Sequence, residues 1–189
     1  MLPKRRAGSD RKESSYELTN NMEKLKPREE VFLPDVRYLN RVNLDHLTEV
    51  MSEMTIDTIY EDLEQIQLNP TVPESVRSHF EIARNLAVYS WFVYSFNVVA
   101  AMQAFASLEM AVKEKTGDKK SSFKSQLDKV FKGRQLSSGF APPVDLSKAI
   151  SWLRNDLAHG STTLHGQGLA LLRTCAELIN ELFPEFNGP

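Results

Sequence analysis

In the stretch Trp152-Leu153-Arg154-Asn155-Asp156-Leu157-Ala158-His159-Gly160, a permanent cation and a titratable base stand five residues apart. Arginine presents a planar fork of N–H donors that matches a phosphate or a carboxylate. Histidine titrates near neutrality and can both accept and return a proton. On an ideal helix five residues correspond to roughly 140° of rotation, too far to share a narrow face. Gly160 follows His159 directly, where the backbone can unwind and turn the imidazole toward Arg154 or toward the same residues of a second copy. Asp156, three before His159, is placed to hold one ring nitrogen and leave the other available. A purely structural reading stands beside this one. A histidine in a last turn is favoured by the helix dipole, by about 0.3–1 kcal/mol, and Arg-Asn-Asp suits a solvated face.

The elements that must position these groups are helical. Long stretches lack both Gly and Pro, and apolar residues recur at three and four. Leu44, Leu47, Val50, Met51, Met54, Ile59, Leu63 and Ile66 predict an amphipathic helix over 44–68, stopped by Asn69-Pro70. Pro73 and Glu74 open the longest run, 74–116. Its residues 85–108 carry no charge, a span of 24 that is long enough to cross a bilayer. Of its polar residues Asn85, Ser90, Ser95, Asn97, Gln103 and Ser107, all but Ser95 fall within about 140° of helix, which suits a central bundle helix rather than a lipid-facing one. A helix of that length in a small domain predicts a kink or break near 90–95. Gly117 is a C-cap candidate.

Ser121 or Ser122 caps a helix over 123–135, with Phe123, Leu127, Val130 and Phe131 inward. Residues 137–143 read as a loop. Asp145 caps a helix over 146–158 ended by Gly160, and a last helix covers 168–183. His46 and His79 read as exposed on helix faces. No stretch alternates as a strand does. The expected fold is all-α, an antiparallel bundle of five to six helices spanning residues 31–187, preceded by a mobile polar tail over 1–30, with Val31, Phe32 and Leu33 tucking against the bundle.

Net charge is −2, so the whole chain is no polyanion trap. The charge is unevenly spread. Residues 43–74 hold eight acids and no Lys or Arg, whereas 113–134 hold eight bases against three acids. Two readings follow: the segments attract each other, within the bundle or across a dimer, or the basic one, with Lys119, Lys120 and Lys124, meets RNA phosphates. Glu109, in a largely apolar helix, is either a partner for Arg154 or the point where that helix returns to solvent. His165, in the loop after the motif, either lines a cleft there or lies on the surface. Cys175 is the only cysteine, which excludes an intrachain disulfide and suits a reducing, cytoplasmic setting. The basic first twelve residues are followed by no apolar core, unlike a secretory signal. The four histidines lack zinc-site spacing, and neither a Gly-rich phosphate loop nor a nucleophile elbow occurs, so neither metal nor cofactor is expected.

Arg-Asn-x-x-x-His before a helix-stopping Gly resembles the Arg-x(4–6)-His signature of the HEPN superfamily (higher eukaryotes and prokaryotes nucleotide-binding). Phe105-Ala106-Ser107-Leu108-Glu109-Met110-Ala111 resembles the family's earlier core helix, and Leu178-Ile179-Asn180-Glu181-Leu182-Phe183 its closing one. The resemblance covers residues 80–183. It implies a helical bundle that homodimerises and, in many members, cuts RNA without metal. By that resemblance Arg154 holds the scissile phosphate and His159 acts as general acid or base. Asn155 orients the phosphate or the imidazole, and the product ends in a 2′,3′-cyclic phosphate. It further implies a toxin or antiphage effector restrained by an antitoxin or regulatory protein. The same family resemblance also allows a non-cleaving module that binds nucleotide, RNA or protein.

Overall fold

The computed structural model describes residues 24–39, 41–44, 51–138, 141–160 and 167–185. The chain divides into two units, Met1–Val31 and Phe32–Pro189. In the first, the described residues hold one 3-10 turn, Arg28–Glu30. The second unit is all-α with two small hairpins. In chain order it runs β1 (Val42–Leu44), β2 (Met51–Glu53), α1 (Ile56–Glu64), α2 (Glu74–Tyr89), α3 (Phe96–Thr116), α4 (Phe123–Val130), β3 (Gln135–Ser138), β4 (Ala141–Asp145), α5 (Leu146–Ala158) and α6 (Gly168–Leu182). Both hairpins are antiparallel pairs, β1 with β2 and β3 with β4.

α3 is the axis of the bundle. It packs most extensively on α2 and α6, and also touches α4 and α5. Ala100, Ala101, Ala104, Phe105, Leu108, Ala111 and Val112 are buried along it. The alanines let neighbours approach on several sides, which explains a helix apolar almost all round. Among the described residues no helix is long and apolar enough to cross a membrane. The uncharged run instead belongs to two helices, α2 and α3, with the expected break at 90–95. The polar residues at this break are satisfied internally. The Tyr38 hydroxyl meets Ser90 Oγ at 2.9 Å, and Asn97 Nδ2 donates to Tyr38 Oη at 2.6 Å and to the Tyr94 carbonyl at 3.1 Å.

Several elements are shorter than their periodicity predicts. Helix α1 begins only at Ile56, because Thr55 and Thr58 form a reciprocal capping box: Thr58 N–H donates to Thr55 Oγ1 and Thr55 N–H to Thr58 Oγ1. Met51–Glu53 pairs instead with Val42–Leu44, and Leu47 and Val50 lie outside the described residues. At its other end α1 stops at Glu64, before Asn69-Pro70. Helix α4 stops at Val130, not 135, since Gln135 enters β3, and the expected loop over 137–143 contributes to the second hairpin. Two prolines in β4 are tolerated because a two-stranded sheet has only edges. Short strands of this kind lack the alternating run that would mark them. Phe32 and Leu33 stay exposed, although the Phe32 ring stands edge-on to Phe92 at 6.3 Å.

The caps that frame α5 follow the expected chemistry. Asp145 accepts from Lys148 N–H at 2.8 Å. Gly117, after α3, and Gly160, after α5, have φ of 66° and 82°, which other residues adopt at a cost. Gly168 opens α6 for a different reason. A Cβ there would stand 2.8 Å from Asn97 Oδ1 and 3.0 Å from the Asn97 carbonyl oxygen, so α6 can begin against α3 only without a side chain.

Candidate functional site

Arg154 extends from α5 toward α3. Its Nη2 donates to Glu109 Oε2 at 3.2 Å and its Nη1 to Asn155 Oδ1 at 3.2 Å. Glu109 in turn receives Lys113 Nζ at 2.8 Å, an i,i+4 pair on α3. The carboxylate thus sits between two cations and holds the guanidinium by one edge. Burial alone would raise the Glu109 carboxyl, but the hydrogen bond and charge of Lys113, and then those of Arg154, outweigh it and hold it below the usual carboxylate range. The Arg154 side chain keeps 42% of its exposure, which leaves the rest of its donor fork open to an anion from solvent.

His159 is the C-cap of α5 and is exposed. Its backbone is still close to helical, with φ −89° and ψ 10°, and its N–H donates to the Asn155 carbonyl at 3.0 Å. The chain leaves the helical path at Gly160, one residue later than a swing of the imidazole toward Arg154 would need. Helical geometry therefore keeps the two groups about 140° apart within one copy. The Asn155 side chain bonds the arginine, and among the described residues no hydrogen bond joins it to the His159 imidazole. Asp156 is half-buried, and among the described residues no hydrogen bond joins it to His159. The loop over 161–166, with His165, lies outside the described residues, as does His46.

The candidate RNA-contacting lysines are separated by circumstance. Lys119 and Lys120 are exposed just after Gly117, in a turn built on Asp118, whose Oδ1 accepts Lys120 N–H at 2.9 Å and Ser121 N–H at 3.0 Å. Lys124 is engaged with Asp128 at 2.8 Å. Elsewhere in the basic segment Lys129 pairs with Asp118 and Arg134 with Glu181 of α6. Among the described residues these bases find their acids in α3, α4, α6 and the turn before α4, and none in 43–74.

No family model, no curated protein and no solved structure matches this chain. Among the described residues no three His, Cys, Asp or Glu side chains gather as metal ligands would.

Two polar clusters lay beyond sequence reasoning. His79, expected on an exposed face, is half-buried, with Nδ1 2.9 Å from Ser107 Oγ and Gln103 Nε2 3.1 Å from its Nε2. Two residues on a helix 24 and 28 positions away cannot be paired with it from spacing. Near the break between α2 and α3, Asp35 is buried and takes Arg37 in a bidentate pair at 2.8 Å to each oxygen, together with Tyr94 N–H at 3.1 Å. Burial would raise the Asp35 carboxyl, but the Arg37 bonds, the Tyr94 N–H and the Arg37 charge prevail and lower it to about 2. Arg37 and Arg41 both stack over the Tyr94 ring, at 4.6 and 4.9 Å. This cluster pins the segment before β1 to the bundle. By contrast the Lys113–Glu109 pair, also not named from the sequence, has a signal there, since residues four apart on a helix face each other.

Proposed function

We propose that the chain is a metal-independent endoribonuclease of the HEPN type, acting as a homodimer in which the α5 ends of two copies meet over RNA. The observation that carries this reading is the Arg154 guanidinium: anchored on one edge by Glu109 and Asn155 and open on the other, on the same helix as an exposed His159. Within one copy the two groups diverge around α5, so a phosphate reaches both only where a second copy supplies one of them.

The chemistry asked of these groups is modest. The ribose 2′-oxygen attacks the neighbouring phosphorus while one His159 imidazole takes its proton. The P–O5′ bond breaks as the imidazole of the second copy protonates the leaving oxygen. The products are a 2′,3′-cyclic phosphate and a free 5′-hydroxyl. Proton transfer of this kind contributes about 10²–10⁴-fold. Arg154 meets the negative charge that grows on the phosphoryl oxygens. Such an activity suits a toxin or antiphage effector restrained by an antitoxin or other regulatory protein.

A non-catalytic module that binds nucleotide, RNA or a protein is the second reading. It is favoured by the Glu109 carboxylate, which already offsets part of the Arg154 charge. Incubating the purified chain with single-stranded RNA in chelator, and analysing the new 3′ ends, separates the two. Cyclic phosphate termini that vanish in Arg154→Ala and His159→Ala support the nuclease. Undiminished cleavage by both variants removes it, and saturable nucleotide binding by an inert parent selects the second reading.

A further inference from the structure

Lys148, Trp152, Asn155 and His159 follow one another at i, i+4, i+7 and i+11 along α5, which places them within about 60° of one line. All four are exposed, and the Trp152 side chain is the least covered of the large apolar residues on this helix, at 61%. Of the other large apolar positions, Leu146, Ile150 and Leu157 are buried and Leu153 packs partly buried against the core. Most of the Trp152 surface therefore stands in water beside the candidate site.

The line carries no exposed carboxylate. Asp145 is occupied in capping the helix, and Asp156 is half-buried off the line. An apolar protein surface would want a continuous stripe here, but Lys148 and Asn155 flank the indole with polar groups. A chain that alternates flat rings with anionic links fits that alternation. Aromatic rings bind unpaired bases by stacking, and a nearby ammonium takes the phosphate.

We propose that the exposed line of α5 is a track for single-stranded RNA, with Trp152 as the platform on which one base stacks, Lys148 on a backbone phosphate, and the strand continuing past Asn155 toward His159. This rests on the ribonuclease reading for its ligand class and adds to it the residue that would hold an unpaired base. Because stacking needs a free base face, duplex RNA does not fit the track.

The test uses the full chain carrying His159→Ala, so that RNA survives, and Trp91→Phe, so that Trp152 is the remaining tryptophan. A short oligouridylate is titrated against it, with inorganic polyphosphate as a probe that has charge but no rings. The oligouridylate is expected to quench Trp152 emission while polyphosphate binds without doing so. Trp152→Ala should weaken oligouridylate binding about tenfold and leave polyphosphate binding unchanged, and Trp152→Phe should retain most of the affinity. Unaltered emission on saturation, or equal affinity in Trp152→Ala, overturns the track. So does a Trp152→Ala chain that sediments as a smaller species than its parent, because the indole would then belong to an interface between copies. Quenching without cleavage by the unmodified chain would remove the ribonuclease reading and leave the track standing, whereas cleavage with unchanged KM in Trp152→Ala would do the reverse.

Discussion

A guanidinium that is to grip a phosphate has to be held still without having its whole charge neutralised. Glu109 does this from α3, and Lys113 competes with Arg154 for the same carboxylate. Glu109→Gln keeps the shape and removes the charge. We expect little change in melting temperature, because the pair is part-exposed and worth under about 1 kcal/mol, but a fall in RNA cleavage of about ten- to hundredfold as Arg154 loses its alignment. An unchanged rate would mean that Arg154 needs no such anchor. Asp35 gives a second prediction. Its carboxyl is lowered from 3.8 to about 2, so its contribution is complete above pH 3.8 and is lost as pH falls toward 2. Roughly 2 kcal/mol of stability should disappear across that window in urea titrations, and Asp35→Asn should flatten the dependence. Cys175 is fully buried and burial raises its thiol. A thiol reagent should leave it untouched in the native chain and modify it once denaturant is added.

At the scale of elements, the joints between helices carry more information than the helices themselves. Gly168→Ala would push a methyl into Asn97 at the start of α6, where one of the atoms met is backbone and cannot rotate away. A loss of about 1–3 kcal/mol, read from denaturant midpoints, is expected, and a neutral result would show that α6 shifts freely on α3. Asp145→Ala removes the acceptor of Lys148 N–H and should cost about 1 kcal/mol, loosening the N-terminal turn of α5. Most caps were legible because they depend on a single residue type at a single place: Asp145, Ser122, Gly117 and Gly160 mark the ends they were expected to mark. The hairpins were not legible. β1 and β2 are three residues each, too short for an alternating pattern to stand out from the three-and-four spacing that continues into α1.

For the whole molecule the arrangement around α3 places the α5 end at the surface, with Arg154 drawn to one side of the helix and His159 left on another. If the working cleft draws one imidazole from each copy, mixed dimers of the parent and His159→Ala chains should cleave well below half of the parent rate. Mixed dimers that retain half of the parent rate, with mixing demonstrated by mass, would place the reaction within one copy.

Taken alone, the residues determined the helical class, the position of the break between α2 and α3 and the caps at Gly117, Ser122, Asp145 and Gly160, because each of these depends on neighbours within a turn or two. The Arg154–Glu109 pairing was open among alternatives until α5 was laid against α3. Whether His79 is buried, which acids answer the basic segment, and which face of α5 remains in water were decided by packing alone. Those facts join residues dozens of positions apart, and periodicity along a chain carries no record of which helix lies beside which.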